Sequence, residues 1–134
     1  MFIIHVPLVP PSPNVLRRKY WHPHAYRRLR LQWENDLFYG TSCARHRQQI
    51  IEWAKAGKMC VQIIVKHTRS FDADNLAGCQ KPILDALKNI GFLKDDSAES
   101  LELLGPRQQL VRKQDCETLV RIGPAGVPEA EEHA

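Results

Sequence analysis

The stretch that most constrains the fold is a run of ten residues, KMCVQIIVKH at 58–67, which is rich in β-branched side chains. Its apolar side chains recur at every second position, the spacing that places them on one face of a β-strand. These positions are Met59, Val61, Ile63 and Val65. A shorter strand is predicted at 2–6, and the proline-rich segment PLVPPSPN that follows it is expected to form a rigid loop.

Amphipathic helices are predicted on both sides of the central strand. The first runs from about Ala25 to Gly57, and a break near Gly40 leaves open whether it is one helix or two. The second follows the strand and stops at Gly91, and Pro82 predicts a kink or a new start within it. Its apolar stripe consists of Leu76, Cys79, Ile83, Leu87 and Ile90.

Two extended segments, near 100–112 and 116–122, flank a turn-like stretch and predict a β-hairpin. The predicted order is strand, helix, strand, helix, strand, strand. This order indicates an α/β fold of two layers, with helices packed on a small mixed sheet of about four strands. A chain of 134 residues is long enough for one domain. We expect this domain at 1–122, followed by a mobile tail at 123–134 that carries few apolar residues.

Composition restricts where the protein is expected to work. No apolar run approaches the roughly 20 residues that a membrane-spanning helix requires. The sequence shows no export signal, and its four cysteines are scattered without a Cys-x-x-Cys pair. We therefore expect a cytoplasmic protein with reduced thiols and no membrane partner.

The distribution of charge is more informative than the net charge of +4. No Asp or Glu precedes Glu34, yet the same segment carries six cations interleaved with three aromatic residues. The cations are Arg17, Arg18, Lys19, Arg27, Arg28 and Arg30, and the aromatic residues, which can stack on sugars or bases, are Tyr20, Trp21 and Tyr26. This pattern predicts a surface that binds a polyanion such as nucleic acid, and Arg69 is included in the predicted contact set. The alternative is a basic helix face that is merely solvated.

Acidic residues concentrate instead at the two ends of the second helix. Asp72 and Asp74 are two apart, so in an extended backbone their side chains emerge on the same side. Asp95 and Asp96 follow the helix, and strand pairing beside the central strand is expected to return one of them to the same place. Carboxylates about 5 Å apart repel by roughly 3 kcal/mol at an effective dielectric of about 20. Such a cluster requires a cation, and its hard oxygen ligands favour magnesium, with manganese as a substitute.

Simpler roles are open for the same residues. Asp72 and Asp74 are also typical helix-capping residues. Lys81 shares the polar stripe of the helix with Asp74 and Asp85. Its side chain is expected to lean toward the helix start, where the ammonium would meet a phosphate oxygen or orient a water. The alternative for Lys81 is an ordinary surface salt bridge with Asp85.

The stretch DADN, followed by a lysine and LDALKNIGFLKDDS, resembles the RusA-like family of Holliday junction resolvases, crossover-junction endodeoxyribonucleases common in phages and prophages. The early PPSPN resembles the proline-rich segment that follows the family's first strand, so the likeness covers most of 2–122. The resemblance implies that the catalytic residues are Asp72, Asp74, Lys81 and Asp96. The aspartates would be the magnesium ligands, with Asp95 as a rival to Asp96.

The resemblance also implies an activity. This is magnesium-dependent, structure-selective hydrolysis of DNA, which resolves four-way junctions by paired cuts during recombination and repair. The implied working unit is a homodimer on branched DNA, and no organic cofactor is expected. Two other functions fit the same sequence: a phage DNA-binding protein without catalysis, and a metal-dependent nuclease of other branched DNA.

Overall fold

The structure is a computed structural model that describes residues 1–126 of the chain. Its strands are β1 (Phe2–Val6), β2 (Met59–His67), β3 (Leu101–Leu103), β4 (Arg107–Leu110) and β5 (Glu117–Pro124). Its α-helices are α1 (Pro13–Lys19), α2 (Pro23–Tyr39), α3 (Ala44–Ala56), α4 (Ala73–Gly78) and α5 (Lys81–Asn89), and a 3₁₀ turn covers Lys113–Asp115. Helices and a mixed five-stranded sheet pack together, which confirms the predicted α/β fold class.

The sheet is built around β2. Strand β5 pairs antiparallel with β2 from Met59 to Lys66, and β1 pairs antiparallel with the other edge of β5. Strands β3 and β4 both pair in parallel with the remaining edge of β2, at its start and at its end. The predicted hairpin is therefore wrong, because β4 and β5 lie on opposite sides of β2. Local turn chemistry does not reveal this, since the pairing follows from β2 being a buried central strand that takes a neighbour on each edge.

One hydrophobic core joins the sheet to the helices. Alternate residues of β1, β2 and β5 are buried, as the sequence predicted in the central strand for Met59, Val61, Ile63 and Val65. They pack with Trp33 and Leu37 of α2 and with Ile83 and Leu87 of α5, which are also fully buried or nearly so. Each aliphatic side chain removed from water in this way contributes about 1.5–3 kcal/mol. The helices that carry the candidate site residues are thus fixed to the sheet.

The first predicted helical region consists of separate helices. Helix α2 ends at Tyr39 with Gly40 as its C-cap, and α3 begins at Ala44. A Cβ atom at Gly40 would lie 2.5 Å from the backbone oxygen of His5. The helix therefore ends where only glycine permits the chain to approach β1. The predicted stop at Gly57 is confirmed, since Gly57 is the C-cap of α3.

The second predicted helix is also divided, and α5 begins again with Pro82 in its first turn. It ends in a Schellman motif: the Phe92 N–H donates to the Leu87 carbonyl (2.9 Å), and the Gly91 N–H donates to the Lys88 carbonyl (3.2 Å). Gly91 has a φ of +83°, a conformation that glycine adopts without strain. The two punctuating residues in the sequence, Pro82 and Gly91, therefore set both ends of α5.

Helix α1 is held against α4 by a close contact between Pro13 and Gly78. A Cβ atom at Gly78 would lie 2.5 Å from Cγ of Pro13, whose ring cannot rotate away. We expect Gly78→Ala to lower the free energy of unfolding by about 1–3 kcal/mol, the usual effect of overpacking. Gly57→Ala is the matched control, because nothing lies within 4 Å of its Cβ position; its change should stay within about 0.5 kcal/mol. Urea unfolding measures both, and equal changes would contradict the contact.

The described chain continues slightly beyond the predicted domain end at residue 122. Strand β5 extends to Pro124, and the Ala125 N–H donates to the Lys58 carbonyl at 2.9 Å. Most of the predicted mobile tail, residues 127–134, lies outside the described residues. Among residues 1–126, no helix has the length and apolar character needed to cross a membrane.

Candidate active site and nucleic-acid interface

Asp72 and Asp74 lie at the start of α4, in the segment that follows β2. Asp72 is the N-cap, and its two carboxylate oxygens accept hydrogen bonds from the Asn75 backbone N–H (2.8 Å) and side-chain amide (3.1 Å). Asp74 is in the first turn, and both aspartates are exposed. The capping role is thus present for Asp72. Each carboxylate oxygen of Asp72 accepts only one of these hydrogen bonds and keeps a further lone pair, so capping does not prevent Asp72 from binding a metal.

Gln108 fixes the position of this segment, a role that the sequence did not reveal. Its side-chain amide donates to the Phe71 carbonyl and accepts from the Phe71 N–H, both at 2.8 Å. Gln108 belongs to β4 and pairs with Val65 of β2. The residue before Asp72 is therefore tied to the sheet near the end of β2.

Asp95 and Asp96 are exposed in the loop between α5 and β3. The Asp96 N–H donates to Oδ1 of Asp95 (2.8 Å), and hydrogen bonds from Asp96 hold the pKa of Asp95 below its ordinary value. The loop enters β3 at Leu101, which pairs with Met59 at the start of β2. We expected strand pairing to bring Asp95 or Asp96 beside Asp72 and Asp74, and the structure does not show this. Because β3 runs parallel to β2, the loop that carries Asp95 and Asp96 leads to the start of β2, whereas Asp72 and Asp74 follow its end.

The described chain does not gather the predicted metal ligands into one group. Among residues 1–126, no three side chains of His, Cys, Asp or Glu are placed to hold a metal ion. Asp72 and Asp74 do share one helix start, and Asp96 lies on a different loop. Magnesium is commonly held by one or two carboxylates, with waters and substrate phosphates as its other ligands. Asp74 lies inside helix α4, so the extended backbone that would place its side chain on the same side as that of Asp72 is not formed. Either exposed carboxylate can still serve as one such ligand.

Lys81 forms the salt bridge with Asp85 that the sequence offered as an alternative, and Tyr26 joins it. The Lys81 ammonium donates to Oδ2 of Asp85 (3.1 Å) and to the Tyr26 hydroxyl oxygen (3.3 Å), and it lies 4.6 Å from the centre of the Tyr26 ring. The Tyr26 hydroxyl in turn donates to Asp85. The ammonium therefore points along α5 and toward α2. In the described residues it makes no hydrogen bond or ion pair with Asp72 or Asp74.

The electrostatics of this triad fix its protonation states at neutral pH. Burial alone would raise the pKa of Asp85, but hydrogen bonds from Tyr26 and Lys81 outweigh it, and the pKa of Asp85 is lowered. Burial, together with the hydrogen bond to Asp85, raises the pKa of Tyr26 above its ordinary value. Tyr26 is thus a protonated donor and Asp85 an ionised acceptor. From the sequence, Tyr26 was predicted to stack on sugars or bases. Its contact with Asp85 could not be predicted, because residues so far apart in the chain leave no local pattern.

We expect Tyr26→Phe to lower the free energy of unfolding at neutral pH by about 1–2 kcal/mol, since Asp85 loses one of its two hydrogen bonds. Because the pKa of Asp85 is lowered in the folded state, its ionised form stabilises the fold. This stabilisation is complete above the unfolded pKa of about 3.9 and is lost as pH falls through the lower folded pKa. Urea unfolding between about pH 6 and pH 3 should therefore show a smaller loss of stability for Tyr26→Phe than for the wild type. Parallel curves would contradict the assigned contact.

The predicted basic surface is largely exposed. Arg17, Arg18 and Lys19 form the last turn of α1, and Arg27 and Arg28 lie in the first part of α2. Arg30 differs: it is half-buried, and its guanidinium lies 3.5 Å from the Glu34 carboxylate. Arg69 is exposed in the segment between β2 and α4. Because α2 packs on α5 through Tyr26 and Asp85, the cations of α2 and the ammonium of Lys81 lie on adjoining helices.

Comparison with known proteins provides no independent assignment. No model of a known protein family matches the chain, and no curated protein matches it.

Proposed function

We propose that the chain is a magnesium-dependent endonuclease of the RusA-like type, acting on branched DNA and on four-way junctions in particular. The observation that carries the proposal is the contact of Tyr26 with Asp85 and Lys81. It joins the basic helix α2 to the helix that follows the first acidic pair. A DNA backbone bound along the cations of α1 and α2 would be held beside the segment that begins at Asp72.

The acidic and basic residues have separate tasks in this proposal. Asp72 and Asp74 would hold magnesium, which polarises a phosphoryl group and lowers the pKa of a bound water. The exposed cations supply affinity by neutralising backbone phosphates. Asp96 and its rival Asp95, which the resemblance implies as the third ligand, lie on a loop at the opposite end of β2 from Gln108 and Phe71, so within one chain they would not reach the same ion. Manganese, another hard cation that accepts oxygen ligands, would substitute.

The proposed working unit is a homodimer. A four-way junction offers two symmetry-related strands, and a closed two-fold dimer is the commonest way for a small chain to present two equivalent sites. The proposed compartment is the cytoplasm, in keeping with four free cysteines. Two of these, Cys60 and Cys79, are buried, and burial raises the pKa of the Cys79 thiol to about 11, which makes it unreactive.

A second candidate, a DNA-binding protein without catalysis, is favoured by two specific contacts. Asp72 caps α4, and Lys81 is engaged with Asp85, so both residues already have structural roles. A third candidate, a nuclease of other branched DNA, uses the same residues on a different substrate.

One substrate comparison separates these three functions. Labelled four-way junctions, flaps and linear duplexes of matched sequence are incubated with the protein in magnesium or in EDTA and resolved on denaturing gels. We expect cutting of the four-way junction in magnesium alone. Binding without cutting of any substrate would support the non-catalytic protein, and faster cutting of flaps would support the third candidate.

A further inference from the structure

The three aromatic residues of the basic segment have different environments. Tyr20 is half-buried and packs against the core, and the Tyr26 hydroxyl is engaged with Asp85. Trp21, in contrast, is 73% exposed. Of the three side chains that the sequence offered for stacking, Trp21 alone is largely exposed to solvent.

The backbone of Trp21 is held on both sides. Tyr20 is the C-cap of α1, and its N–H donates to the Leu16 carbonyl at 3.0 Å. His22 is the N-cap of α2: its carbonyl accepts from the Tyr26 N–H (3.0 Å), and its Nδ1 accepts from the His24 N–H (3.2 Å). Trp21 is thus the single residue between two capped helices. Its indole is displayed on a fixed backbone, which lowers the entropy lost when a ligand stacks on it.

The surroundings of Trp21 are cationic. Arg18 and Lys19 precede it in α1, and Arg27 and Arg28 follow it in α2; within residues 1–126 none of these four forms an ion pair. Lys19 and Arg28 also line a groove of about 360 Å³ between the two helices. The rings of Trp21 and His22 form a T-shaped contact, with 5.5 Å between ring centres. A hydrophobic protein partner would need a contiguous apolar patch, whereas an aromatic ring among unpaired cations is typical of contacts to exposed bases.

We propose that Trp21 is a base-stacking contact, whose indole stacks on an unpaired or unstacked base of DNA while the flanking cations bind the adjacent phosphates. This inference rests on the proposed function, and it specifies the substrate class as DNA that exposes bases, at a branch point or in a single strand. Linear duplex DNA, whose bases are stacked on one another, would be bound by the cations alone. Trp21 would therefore contribute selectivity for branched or single-stranded DNA over duplex.

The test compares the full-length wild type with Trp21→Ala and Trp21→Phe, in EDTA so that no strand is cut. Tyr39→Ala is the matched control, since Tyr39 is 70% exposed but lies at the far end of α2, outside the cationic segment. Affinities are measured for a single-stranded oligonucleotide, a four-way junction and a linear duplex at one salt concentration. Circular dichroism and thermal unfolding establish that each variant is folded.

We expect Trp21→Ala to weaken single-strand binding by roughly 5- to 150-fold, the range for loss of one aromatic stack. Junction binding should fall within the lower part of that range, and duplex binding should change by less than about threefold. Trp21→Phe should restore part of the loss, and Tyr39→Ala should bind as the wild type does. Quenching of tryptophan fluorescence by the single strand should disappear in Trp21→Phe, because Trp33 is buried and Trp53 is half-buried.

Three results would overturn the inference: unchanged single-strand binding in Trp21→Ala, an equal loss on all three DNA molecules, or the same loss in Tyr39→Ala. None of these three results contradicts the proposed nuclease function, provided that the wild type still binds DNA in a salt-dependent manner. Failure of the wild type to bind any of the three molecules would instead overturn the proposed function, and the stacking contact with it.

Discussion

Asp72→Asn and Asp74→Asn should each abolish magnesium-dependent cleavage, with rate losses of at least about 100-fold. Loss of a group that only supports a metal ligand costs 10- to 100-fold, so loss of a ligand charge should cost more than the upper part of that range. Binding to DNA in EDTA should be unchanged, because neither aspartate belongs to the basic surface. Single-turnover cleavage of a labelled junction measures the rates.

The structural role of Asp72 makes the choice of substitution decisive. Asparagine caps a helix as well as aspartate does, so Asp72→Asn should keep the bond to the Asn75 N–H and the stability of α4. Asp72→Ala removes both cap and charge, and should also lower the free energy of unfolding by about 0.5–2 kcal/mol. If Asp72→Asn cleaves at the wild-type rate while Asp72→Ala is merely less stable, Asp72 is only a cap.

DNA affinity should fall steeply with salt. Five of the six cations of the first segment are exposed, and the sixth, Arg30, is beside Glu34. Each phosphate contact contributes about −0.9 to the slope of log affinity against log salt, so five contacts give a slope of about −4.5. Raising monovalent salt fourfold, from about 50 to 200 mM, should then weaken binding by roughly 500-fold. Fluorescence anisotropy with a labelled duplex measures the slope.

Single substitutions show which cations contribute to this salt dependence. Arg18→Ala, Lys19→Ala, Arg27→Ala and Arg28→Ala should each make the slope shallower by about 0.9. Arg30→Ala is the matched control on the same helix, and it should alter the slope much less because Glu34 already neutralises that charge. A wild-type slope near zero would remove α1 and α2 from the DNA interface.

The sequence predicted the elements of the fold better than their pairing. The strand at 59–67 follows from the alternation of apolar residues, and the two ends of α5 follow from Pro82 and Gly91. These signals act within a few residues of the chain. The placement of β4 and β5 on opposite edges of β2 depends on which edges remain free after the whole sheet forms. A turn-like segment between two strands therefore predicted a hairpin that the chain does not form.

The candidate site was predictable to a similar degree. The acidic pair and the basic segment are visible as composition, but Gln108 and Tyr26 act through contacts to residues 37 and 59 positions away, respectively. Such contacts have no local pattern, since burial and packing create them. Lys81 illustrates the difference: its side chain was predicted to lean toward the helix start, and the packing of α2 on α5 instead places its ammonium beside Tyr26 and Asp85.

The most direct test of the central claim is to map the cuts that the protein makes in a four-way junction. Each strand of the junction is labelled in turn, and wild type and Asp74→Asn are compared in magnesium and in EDTA. The proposal predicts two cuts, at symmetry-related positions in opposing strands, made by the wild type in magnesium and absent with Asp74→Asn. Binding of the junction without any magnesium-dependent cut, or equal cutting by Asp74→Asn, would contradict it.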